Sequence, residues 1–152
     1  MDISAKTDYA VRALVTIAAE QERGPVSVEA LVTHQGLPRK FLESILGDLR
    51  RGGLVSSQRG PAGGYTLARP AEEITVGEVF RVVDGPLAEV RGLRPHETEY
   101  VGAATHLPVL WVAVRASLRS VLDGTSIADL LTGDLPEHVA SLAAQPDAWK
   151  SR

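Results

Sequence analysis

Cysteine is absent from all 152 residues. That one absence excludes disulfides, thiolate metal sites, cysteine nucleophiles and thiol redox switches. Long hydrophobic runs are missing too: the most apolar stretch, residues 107–114, is far short of the roughly eighteen residues a membrane span needs. The opening Met1-Asp2 leads into neither the basic nor the apolar region of a secretory signal, so a cytoplasmic location and no membrane partner are expected. There is no Gly-x-x-x-x-Gly-Lys-Ser/Thr phosphate loop, no Gly-x-Ser-x-Gly elbow and no His-Glu-x-x-His. Without a nucleophile–base pair, the sequence gives no reason to expect an enzyme.

What is present fits a globular chain. At 16.2 kDa, with 44% hydrophobic and 23% charged residues, the length suits one domain or a small domain with an appendage. The net charge of −3 is unevenly spread. Residues 1–69 hold nine Lys/Arg against seven Asp/Glu, whereas residues 70–152 hold seven against twelve. Within residues 38–69 the count is six basic to two acidic, a basic patch on an acidic whole. Such a patch fits a DNA-reading module joined to something else, although charge blocks also serve as plain solvated faces.

Ala10, Ala13, Leu14, Ile17 and Ala18 recur at helical spacing, predicting an amphipathic helix over about 4–21 that ends at Gly24-Pro25. Ser27 suits the N-cap of a short second helix to about His34, with Gly36 as its left-handed terminator. After Leu37-Pro38, the stripe Leu42, Ile45, Leu46 and Leu49 predicts a third helix closed by Gly52-Gly53. Two strand-like runs, 54–58 and 64–67, then flank a Gly- and Pro-rich loop and read as a β-hairpin. Helix-turn-helix followed by a hairpin is a winged helix. The expected fold class is therefore mostly α with a small β-hairpin wing, extended by a long C-terminal dimerisation helix.

Thr75 and Glu78 form a capping box for a fourth helix stopped by Gly85-Pro86. Residues 87–106 are polar and irregular. Apolar Leu107, Leu110, Trp111, Val114, Leu118 and Val121 predict a strong helix, followed by a brief one capped by Thr125 or Ser126 and containing Ile127. The expected organisation is a winged helix-turn-helix DNA-binding domain over 1–84 and an effector or linker loop over 85–106. Residues 107–133 supply the dimerisation helix and the short helix after it, and 134–152 a flexible tail.

On the third helix, Arg39, Glu43 and Arg50 share a row, with Lys40, Gly47 and Arg51 beside it, opposite the Leu/Ile stripe. Arg39, Lys40 and Glu43 are placed to meet base edges in a major groove, since Arg and Lys pair with guanine and Glu accepts from cytosine. Arg50 and Arg51, farther along, suit phosphates, as does Lys6. Arg59 stands beside a loop almost free of side chains, suited to a narrow minor groove, with Ser57, Gly60 and Tyr65 positioned for the backbone. A turn that uses Gly and Pro for geometry alone is the simpler alternative. The 107–122 helix exposes more apolar surface than a small domain should, so Leu107, Leu110, Trp111, Val114, Leu118 and Val121 are expected to bury against a second copy.

Met1-Asp2-Ile3-Ser4-Ala5-Lys6-Thr7-Asp8-Tyr9-Ala10, Phe41-Leu42-Glu43-Ser44-Ile45-Leu46, Arg59-Gly60-Pro61-Ala62-Gly63-Gly64-Tyr65 and Ile74-Thr75-Val76-Gly77-Glu78-Val79-Phe80 together resemble the Rrf2 family. These are bacterial winged-helix repressors of the IscR, NsrR and CymR types, and the likeness covers about residues 1–131. It implies a homodimer on DNA, a recognition helix at 38–51, an arginine (here Arg59) probing the minor groove, and DNA contacts at Glu43, Ser57, Gly60 and Tyr65. Many members hold an iron–sulfur cluster through three cysteines, where this chain has Gly92, Thr98 and Ala104 nearby. Some use the position of Asp8 across the dimer, but one carboxylate cannot replace thiolates. No cofactor and no metal ligands are therefore expected.

The working expectation is a sequence-specific regulator, a homodimeric repressor on a pseudo-palindromic operator, with an unidentified small-molecule effector as a further possible partner. Two alternatives stand beside it. One is a protein-interaction module that has lost DNA binding. The other is a metal or small-molecule sensor acting through 87–106, where His96, Glu97, Glu99 and His106 lack regular ligand spacing. His34 and His138 stand alone. An apolar pocket lined by Phe80, Tyr100, Leu107 and Trp111 is conceivable, though such residues more often form core.

Overall fold

The computed structural model describes residues 2–151. Its elements run α1 (Ala5–Glu20), α2 (Val28–Gln35), α3 (Arg39–Arg51), β1 (Val55–Gln58), β2 (Gly64–Leu67), α4 (Val76–Val83), α5 (Leu107–Leu122), α6 (Ile127–Thr132) and α7 (Glu137–Ala143). The local signals act where the sequence puts them. Ser27 accepts from the Ala30 amide at 3.1 Å, Gly36 ends α2 in the left-handed region, and Thr75 and Glu78 close a reciprocal capping box. Between the two candidates, Ser126 is the N-cap of α6, answered by Asp129.

The core is one cluster built from three directions. Ala10, Ala13, Leu14 and Ile17 of α1 meet Leu31 of α2 and the stripe Leu42, Ile45, Leu46 and Leu49 of α3, all fully buried. Burial of an apolar side chain of this size is worth about 1.5–3 kcal/mol, so the helix-turn-helix is held by this stripe. The hairpin pairs antiparallel with Ser57 opposite Tyr65, and a bridge between Val26 and Tyr65 ties the wing to the start of α2. Arg12 fastens α1 to the end of α2, its Nη2 donating to the Gln35 carbonyl at 2.6 Å.

α6 lies away from the place its sequence position suggests. Ile127 is fully buried in the winged-helix core, its amide donates to the Ile74 carbonyl at 2.9 Å, and α6 packs on α1. The chain thus leaves the core as α5 and comes back to complete it. Residues 134–152, expected as a loose tail, carry α7 as well. The ring of His138 bonds the Ser120 carbonyl at 2.8 Å and Trp149 donates to the Ala143 carbonyl at 2.7 Å. Pro136 sits before the helix, where its missing N–H costs nothing, so a proline that reads as a breaker here begins a helix.

The 85–106 segment, read as an irregular loop, contains two single 3₁₀ turns, Pro95–Glu97 and Gly102–Ala104. Pro95 and Thr98 are buried, and the Thr98 hydroxyl donates to the Pro95 carbonyl at 2.7 Å. Trp111 donates to the Tyr100 hydroxyl at 3.1 Å, and the Arg91 guanidinium lies 5.5 Å from the centre of the Tyr100 ring.

Candidate nucleic-acid interface

The expected DNA contacts divide into two electrostatic groups. The first is already paired within the chain. Arg39 reaches Glu29 of α2 at 2.6 Å and Glu43 of its own helix at 3.1 Å. Its guanidinium is held more basic than usual, by Glu29 first and Glu43 next. The Glu29 carboxyl is held below the usual carboxylate range by its own backbone amide and then by Arg39. Lys6 pairs with Asp48 at 2.5 Å, and Arg51 bonds the same carboxylate, which lies below its usual range chiefly because of Lys6.

The second group is unencumbered. Lys40 at the start of α3 and Arg59 beside the wing tip are exposed, and among the described residues neither side chain has an ion-pair partner. Arg50 donates to the Ser57 hydroxyl at 3.4 Å, linking the end of the recognition helix to the first strand of the wing. A cation therefore stands at the start of the third helix and another beside the wing tip, with polar groups between.

The wing glycines need no ligand to account for them. A Cβ on Gly63 would run into the Gln58 carbonyl oxygen, and one on Gly64 into that of Val26. Tyr65 is half-buried against the core and exchanges backbone hydrogen bonds with Val26 at 2.8 and 2.9 Å, so its ring supports the wing. Gly60, with φ of 107°, is fixed by the turn and has open space around it.

Phe41 and Ser44 are not singled out by the spacing argument, yet both belong to this surface. Phe41 is 54% exposed on the recognition helix, braced edge-on by Tyr9 at 6.2 Å, and with Ser44, Lys6 and Lys40 it borders a shallow groove. An exposed aromatic here can meet a thymine methyl. The helical wheel gives little signal, since Phe41 falls about 40° from Ile45 at the edge of the buried stripe.

On α5 the expected dimerisation residues fall on two faces. Leu107, Trp111, Val114, Leu118 and Val121 are half-covered by their own chain. Leu110 is exposed with Val109 and Val112, at 52, 72 and 43%, next to Ala113 and Ala116. The pocket residues separate as well. Phe80 borders a cavity of about 330 Å³ with Leu87, Leu118 and Leu122, whereas Trp111 and Val114 face Ala88–Arg91.

The Rrf2 family model, described as iron-dependent transcriptional regulator, matches residues 3–133. Rv1287 of Mycobacterium tuberculosis H37Rv, whose name provisionally classes it as an HTH-type transcriptional regulator, is 49% identical over 151 residues, spanning 99% of this chain and 94% of that one. Among solved structures, CymR of Bacillus subtilis, titled a global cysteine regulator, superposes with a TM-score of 0.74 at 32% identity, covering 88% of this chain and 98% of that one. IscR of T. potens gives 0.69 at 30% identity, over 100% and 93%. The chain's own donors do not fit the iron of the family description: there is no thiolate, and no three His, Asp or Glu side chains converge among the described residues. Asp8, on the face some relatives use, pairs with Arg12 at 3.3 Å.

Proposed function

The chain belongs to the Rrf2 family of transcriptional regulators, and on that premise we propose that it is a homodimeric repressor that reads a pseudo-palindromic operator without an iron–sulfur cluster. The observation that carries the reading is a pair of cations without ion-pair partners among the described residues, Lys40 and Arg59, set at the third helix and the wing around one hydrophobic core. Lys40, Arg39, Glu43 and Phe41 face the major groove, and Arg59 enters the minor groove. Lys6, Arg50, Arg51, Ser57, Gly60 and Tyr65 set the backbone register. The exposed Val109, Leu110, Val112 and Ala116 face of α5 joins two copies, giving reading heads about 34 Å apart, one helical turn of DNA. Such a protein works from the cytoplasm, where its operator is. Without thiolates, any signal it answers is one other than a cluster.

The test is selection of bound fragments from random DNA by the purified protein at two salt concentrations. A two-fold symmetric motif whose retention falls with salt is the expected result, because each neutralised phosphate releases counterions. Salt-insensitive binding to a protein, with no enriched motif, would favour an interaction module instead.

A further inference from the structure

Four arginines from three segments converge where α4, the loop after it and α5 meet. Arg81, Arg94, Arg115 and Arg119 line a cavity of about 150 Å³, walled on its apolar side by Pro86 and Leu87. One carboxylate pairs with two of them. Asp123 takes both terminal nitrogens of Arg81 at 2.8 Å and the Nε of Arg119 at 3.4 Å. Neither Arg94 nor Arg115 has an ion-pair partner among the described residues, and the Nε of Arg115 is buried with no acceptor. Asp123, with Glu78 acting on Arg81 and Glu97 on the Arg94 amide, leaves the lining net positive, and the two unpaired guanidiniums gain from added oxygens.

We propose that this cavity binds a small oxyanion of the sulfate or phosphate class. Guanidinium groups grip such ions through paired N–H donors, and apolar walls strengthen the attraction by excluding water. The cavity has room for several waters, enough for an inorganic oxyanion. Arg94 and Arg115 are its direct partners, while Arg81 and Arg119 add charge from their pairing with Asp123. The bound ion links the 86–94 loop to both α4 and α5. Because binding is read on the free protein, this holds or fails separately from DNA recognition.

The experiment is thermal unfolding of the full chain in sodium sulfate and in sodium phosphate, against sodium chloride at matched ionic strength and pH, with Kd from calorimetry. Near ten times Kd the site raises Tm by roughly 3–6 °C above chloride. Sulfate also stabilises proteins by exclusion from their surfaces, so the comparison with variants is decisive. Arg94→Gln, at an exposed position, and Arg115→Gln should each weaken binding about tenfold and cut the excess shift in both salts to about a third. If Arg115→Gln fails to fold by circular dichroism, Arg94→Gln decides alone. No excess over chloride, or an excess undiminished in Arg94→Gln, overturns the site.

Discussion

Arg39 and Arg59 are both exposed arginines on the reading surface, yet they start from different states. Among the described residues Arg59 has no ion pair to give up on meeting DNA, so Arg59→Ala should lose a specific contact worth about 1–3 kcal/mol and relax base preference in the wing-proximal part of the site, read by anisotropy titration at fixed salt. Arg39 must first leave Glu29. Glu29→Gln should therefore tighten DNA binding, by no more than about fivefold, since exposed pairs are weak. A loss of affinity would mean the Glu29 pair orients Arg39 productively. Asp123 gives a pH expectation. Its carboxyl is held below the usual range, by Arg81 first, and such a group contributes stability that is full above the unfolded carboxylate pKa and lost as pH falls through the folded one. Melting curves below about pH 4 should fall less steeply for Asp123→Asn, which has lost that contribution at every pH.

At the scale of elements, the wing is held by contact with the backbone of another segment. A methyl at Gly64 would meet the Val26 carbonyl, so Gly64→Ala should break the bridge to Tyr65. Hydrogen exchange at the Val26 and Tyr65 amides is expected to quicken while the α3 amides stay protected, at a stability cost of about 1–3 kcal/mol. The two faces of α5 make a second expectation. Ala116→Glu on the exposed face should give monomers by sedimentation with Tm little changed by the folding of each copy, whereas Trp111→Ala, losing the Tyr100 bond, should destabilise the chain itself. These elements show what a sequence can tell. The caps at Ser27 and Thr75, the α3 stripe and the hairpin rest on neighbours within a few residues, and all are legible in the sequence. The return of Ile127 to the core, the helix behind Pro136 and the sorting of α5 into a covered and a bare face depend on partners far along the chain. Pairing of Arg39 with Glu29 is the same case at the site: a separation of ten residues hides a neutralised cation inside a basic stretch.

For the whole molecule, the unequal charge of the two halves acquires a place. The basic excess of residues 38–69 sits on the recognition helix and wing, and the acidic excess lies mainly in the part that follows β2. The arginine cavity is an exception inside that acidic part, which is why a net-charge count does not find it. The late return of α6 bears on how the protein is made. The reading head is encoded before residue 84, yet its core stays open on one side until Ile127 has left the ribosome. The nascent chain must hold an unfinished hydrophobic surface through the synthesis of the residues between, several seconds at about 5–20 residues per second. A premature stop anywhere in α5 should therefore yield an insoluble product instead of a smaller DNA-binding one.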